Sequence, residues 1–104
     1  MSNLYIKPEY KQILIDIFNS YCPNAIIWVY GSRLKGNCHE GSDLDLSVID
    51  FKDFNKSISE LKEFLVNSNI PFLIDINEYK YLPESFKQEI LKNYEVIFPA
   101  GGIR

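Results

Sequence analysis

The chain has 104 residues, 46% of them apolar and 14% aromatic, enough to build one small core and a single domain over 1–104. Its 11 basic and 14 acidic residues leave a net charge of −3, which argues against a nucleic-acid backbone as the main partner, and a charged fraction of 24% argues against disorder. No apolar run approaches the ~18 residues of a membrane span and the first six residues lack a signal-peptide core, so no membrane partner and a cytoplasmic location are expected.

In chain order, Pro8 suits a first helical turn, and Tyr10, Ile13, Leu14, Ile17 and Tyr21 follow at helical spacing until Pro23 and Asn24. Cys22 and Cys38 are the two cysteines. They read as reduced thiols, and neither lies in a CxxC pair. With His39 as the single histidine, zinc is not expected. The apolar run Ala25 to Tyr30 is rich in β-formers and predicts a buried strand that stops at Gly31-Ser32. Arg33 to Ser42 is polar, holds Gly36 and Gly41, and predicts a loop.

From Asp43 to Ile49 the pattern alternates, with Leu44, Leu46 and Val48 on one face and Asp43, Asp45 and Ser47 on the other. Phe54, Ile58, Leu61 and Leu65 mark a second amphipathic helix, ended by Asn67-Ser68-Asn69. Phe72 to Asn77 predicts a third strand, with Phe72, Ile74 and Ile76 on one face and Asp75 on the opposite one. Pro83 opens a third helix with Phe86 and Ile90 inward, Glu95 to Phe98 forms a fourth strand, and the chain end, over 98–104, reads as a loose tail. The fold class is therefore α+β: a small four-stranded mixed sheet flanked by helices. The helical crossover between the second and third strands favours parallel pairing there. The short loop between the first two favours an antiparallel pair.

Asp43 and Asp45 are two like charges on one face of one strand, and Asp is a poor strand former. A solvated face on an edge strand is one explanation. Asp75 inside Phe72-Leu73-Ile74-Asp75-Ile76 favours another, because a carboxylate buried without a partner is costly and a divalent cation compensates it. Hard oxygen ligands select Mg²⁺ or Mn²⁺, and two such ions can clamp the attacking and leaving oxygens of an in-line displacement at phosphorus. Gly31-Ser32 alone would be an ordinary turn. Placed directly after a buried strand, it lets backbone approach a phosphate. A P-loop is excluded, because Gly36 continues as Asn37-Cys38.

The run Gly31-Ser32-Arg33-Leu34-Lys35-Gly36, followed by Ser42-Asp43-Leu44-Asp45-Leu46, resembles the signature of the DNA polymerase β-like nucleotidyltransferase superfamily. Within it, the chain is similar to the stand-alone minimal nucleotidyltransferases (MNT), the antitoxins of HEPN–MNT toxin–antitoxin pairs. The segment around Asp75 matches the family's third-carboxylate strand. The resemblance implies the polymerase β-like fold and AMP transfer from ATP or another NTP with two Mg²⁺ ions, Mn²⁺ being able to substitute. It implies that Asp43, Asp45 and Asp75 are catalytic and bind the metals, with Asp75 helping the acceptor hydroxyl lose its proton. Gly31 and Ser32 would hold the outer phosphates, with Ser42 in the same nucleotide-binding set. Arg33 and Lys35 would neutralise the departing pyrophosphate, or are simply solvated cations of the loop. His39 and Glu40 receive no role.

The same resemblance implies the partner. Larger members carry an extra acceptor-recognising domain, and these 104 residues leave no segment for one. The acceptor site is therefore expected to be completed in trans, in a hetero-oligomer or a homodimer. The family's companion is a helical HEPN protein, an RNase toxin that is silenced by AMP on a tyrosine. Two other functions fit the same residues: an antitoxin that masks the HEPN partner without catalysis, and a small-molecule nucleotidyltransferase of the antibiotic type.

Overall fold

The computed structural model describes residues 3–36, 39 and 41–99. Helix α1 spans Pro8–Tyr21, with Pro in its first turn, where the missing N–H has no intrahelical partner to lose. Its buried residues are Leu14, Ile15 and Phe18. Tyr10, Ile13, Ile17 and Tyr21 flank that stripe half-buried, so the inward face is rotated from the one the spacing suggested. Cys22 closes the helix, fully buried and free, and burial pushes its thiol up to about 11. It is a small core residue, not a reactive one. Cys38 and Glu40 lie outside the described residues.

The strands are β1 (Ile26–Tyr30), β2 (Leu44–Asp50), β3 (Ile74–Glu78) and β4 (Tyr94–Phe98), in the sheet order β3-β2-β1-β4. β1 runs antiparallel to both β2 and β4, while β2 and β3 are parallel, so the sheet is mixed as expected. The parallel pair is joined by α2 (Ile58–Val66), the crossover such a pair requires. α2 begins later than the position of Phe54 implied. Ser57 caps it by accepting from Glu60 N–H, and Phe54 stands fully exposed in the preceding turn.

Leu14 and Phe18 of α1 and Leu61 and Leu65 of α2 share one cluster with Ile27, Val29, Leu44, Leu46, Val48 and Ile76 of the sheet. Phe98, where the expected fourth strand and the expected loose tail overlap, belongs to the strand: it is 2% exposed and packs its ring 5.5 Å from that of Phe18. Residues 100–104 lie outside the description. Helix α3 (Glu84–Lys92) buries Ile90 but leaves Phe86 39% exposed, so only one of its two expected inward residues is inside. Phe86 meets Tyr30 edge-on, which leans α3 against the other face of the sheet. Among the described residues no helix is long and apolar enough to cross a membrane.

Candidate active site on the polar sheet face

Because side chains alternate along a strand, the register that puts Leu44, Leu46 and Val48 into the core turns Asp43, Asp45 and Ser47 away from it. The parallel pairing with β3 then sets Asp45 opposite Asp75 and Ser47 opposite Asn77. On the other flank Tyr30 of β1 is the register partner of Asp45. One face thus carries two adjacent carboxylates with a row of polar groups beside them.

Asp45 is half-buried, and its carboxyl is held above its ordinary range, first by burial and then by the charges of Asp75 and Asp43. All three influences push the same way. Asp75 itself is exposed on the edge strand, so the burial cost expected for it falls on Asp45 instead. Asp43 is exposed at the entry to β2. Among the described residues no three His, Cys, Asp or Glu side chains gather closely enough to hold a metal ion by themselves, so Asp43 does not join Asp45 and Asp75 in the three-carboxylate group the sequence suggested. The fold prepares a carboxylate pair, with Asp43 at its rim, and leaves the remaining positions of any ion to water or ligand. Such a partial, all-oxygen set suits Mg²⁺, which keeps several waters and shares its coordination with substrate phosphates.

Gly31 follows β1 directly at φ 87° and ψ −155°, a backbone region that is essentially glycine's alone. Its Cα faces the Asp45 carboxylate so closely that a Cβ would collide with Oδ2. Gly31 therefore lets the Asp45 carboxylate pack directly against the backbone. A short 3₁₀ turn, Ser32–Leu34, comes next, with Leu34 N–H bonded to Gly31 O and Lys35 N–H to Ser32 O. Ser32 is half-buried at the start of this turn.

Arg33 departs from the expectation of a phosphate-facing cation. It is 2% exposed, with Nε and Nη2 donating to Ser42 O at 3.0 and 2.7 Å and Nη1 to Tyr5 O at 2.7 Å. Its guanidinium carbon lies 4.1 Å from the centroid of Phe72. Lys35 is exposed, and its charge reaches α3, where it helps, after the larger effect of Lys92, to hold the Glu89 carboxyl low. The Ser42 hydroxyl accepts from His39 N–H at 3.1 Å and Gly41 N–H donates to His39 Nδ1 at 3.0 Å, so His39 and Ser42 shape the turn before Asp43.

Ser47, Asn77 and Tyr30 on this face received no role from the sequence. Ser47 Oγ donates to Asn77 Oδ1 at 2.6 Å, and Asn77 Nδ2 donates to Tyr30 Oη at 3.0 Å. Burial, the largest cause, and the charges of Asp45 and Asp75 raise the Tyr30 hydroxyl above its ordinary value, against the lowering effect of Asn77. Alternation alone places Ser47 and Asn77 on the acidic face. The parallel register is what joins them.

Residues 12–100 match the family described as Polymerase beta, Nucleotidyltransferase. Over 97 residues the chain is 33% identical to the Haemophilus influenzae "Probable protein adenylyltransferase MntA", covering 92% of this chain and 85% of that protein. A solved structure titled "Crystal structure of the toxin-antitoxin with AMP-PNP" superposes with a TM-score of 0.66 at 21% identity, over 85% of this chain and 72% of that one, and at that identity it speaks for the fold.

Proposed function

The chain belongs to the polymerase β-type nucleotidyltransferase family, and from that premise we propose that it is an antitoxin that transfers AMP from ATP to a hydroxyl of a partner toxin. The observation that carries this reading is the register pair Asp45 and Asp75 beside the bare Gly31. It brings anionic oxygen ligands against a backbone bare of side chain at one spot. The adenylyltransferase named among its relatives and the toxin–antitoxin structure with a nucleotide analogue support the same choice. The acceptor is a tyrosine of a helical, HEPN-type toxin.

Asp45 and Asp75, with Asp43 at the rim, would hold two Mg²⁺ ions, which when bound stabilise the charge that builds on the phosphate oxygens. Gly31 and Ser32 would receive the outer phosphates, and exposed Lys35, directly after the turn that Ser32 opens, would offset the charge of the leaving pyrophosphate. The acceptor oxygen bonds to the α-phosphorus as the bond to the β-phosphate bridge breaks. Asp75, the more accessible of the pair, would help the acceptor hydroxyl lose its proton. Holding that hydroxyl in line with phosphorus contributes roughly 7–11 kcal/mol, which a docked partner supplies and a free acceptor does not.

Mass spectrometry of the toxin co-expressed with this protein tests the reading. The expected result is one or more AMP groups on the toxin, absent with Asp45→Asn. A tight complex without modification would identify a masking module instead.

A further inference from the structure

We propose that Arg33 is a positioning residue that sets the spacing of the two carboxylate-bearing strand entries, rather than a ligand for phosphate; this rests on the reading of Asp43, Asp45 and Asp75 as metal ligands. Arg33 and Ser47 are the buried polar residues among those described. A buried guanidinium has a large desolvation penalty, recovered only when its geometry is good and its donors are satisfied. Here the planar fork joins three chain segments. Two donors converge on Ser42 O, immediately before Asp43. A third reaches Tyr5 O, while Tyr5 N–H returns a 2.8 Å bond to Arg33 O. The ring beneath belongs to Phe72, three residues before Asp75.

Just past this brace, Leu44 N–H bonds Leu73 O at 2.9 Å, the link between the entries of β2 and β3. The brace therefore fixes where both strands start, and with them the register that sets Asp45 against Asp75. It also makes the segment around Tyr5 part of the site's support, although that segment lies outside the matched family region 12–100. Lysine cannot replace this arrangement, since it keeps the charge but lacks the fork and the flat face.

Arg33→Lys and, as a milder variant that keeps the guanidinium, Phe72→Leu test the proposal in the full-length protein. Hydrogen exchange at the Leu44 amide reads the brace without any metal, and Mn²⁺ titration followed by electron paramagnetic resonance reads the site. In Arg33→Lys, Leu44 should exchange faster and Mn²⁺ should bind about tenfold more weakly, as when a supporting group behind a metal ligand is lost. Phe72→Leu should move both in the same direction by less. Wild-type Leu44 protection and Mn²⁺ affinity in Arg33→Lys, with only ATP binding weakened, would overturn the proposal and return Arg33 to the phosphates. A wild-type protein that binds no Mn²⁺ would sink the metal-site reading on its own, and Leu44 exchange would still decide whether Arg33 is the brace.

Discussion

The two faces of β2 obey opposite rules, although their residues alternate along seven positions of one strand. Leu44, Leu46 and Val48 look into a cluster closed by α1 and α2, where every contact favours the folded state. Asp43, Asp45 and Ser47 look the other way, where Asp45 is half-buried beside like charges and held above its ordinary range. The first face stabilises the fold, and the like charges on the second oppose it. A small domain has little stability to spare. That makes an unrelieved arrangement of carboxylates evidence of function.

Substitutions at neighbouring positions break this comparison most sharply. Leu46→Ala removes a fully buried side chain and should cost about 2–5 kcal/mol, lowering the melting temperature by roughly 4–8 °C for each kcal/mol. Thermal melts in EDTA measure it, and an unchanged melting temperature would mean that this face is not the core.

Gly31→Ala should cost about 1–3 kcal/mol through its backbone conformation, and its methyl group would displace the Asp45 carboxylate, so ATP binding should fail as well. Gly36→Ala is the control. It too has a positive φ, 80°, but a Cβ there meets nothing within 4 Å. It should lose some stability and retain nucleotide. If calorimetry found the same ATP affinity in both variants, Gly31 would be an ordinary turn residue.

The smallest effect has the most informative sign. Asp45 titrates higher in the folded protein than in the unfolded chain, so the folded state binds more protons in the interval between the two values. Stability therefore falls as pH rises through that interval, and the penalty is complete above the raised folded value. In metal-free buffer Asp45→Asn should melt higher than wild type at neutral pH. The difference should vanish below the ordinary carboxylate range. A variant that melts lower at neutral pH would show that Asp45 supports the fold.

The sequence displayed the acidic face well because alternation and spacing are local properties. Asp43 and Asp45 fall on one side of a strand wherever that strand goes, and a helical crossover makes a parallel partner for Asp75 nearly obligatory. Local signals also set the limits. The Ser57 cap outweighed the apolar spacing that extended α2 back to Phe54. The inward stripe of α1 turned toward Phe18 because Phe98 of β4 supplies its ring partner, a contact 80 residues away in sequence that no periodicity records. Arg33 was the hardest to place. Its type and its place in a polar loop suggest a solvated or phosphate-facing cation, while the carbonyls of Tyr5 and Ser42 and the ring of Phe72 make an interior position favourable.

In the proposed function the carboxylate face binds nucleotide through a divalent cation. Calorimetric titration of ATP into the wild-type protein and Asp45→Asn, with Mg²⁺ and again with EDTA, tests it most directly. Wild type should bind with Mg²⁺, and that binding should be lost both in EDTA and in Asp45→Asn. Equal affinity with and without the metal, or an Asp45→Asn protein that binds as wild type does, would contradict it.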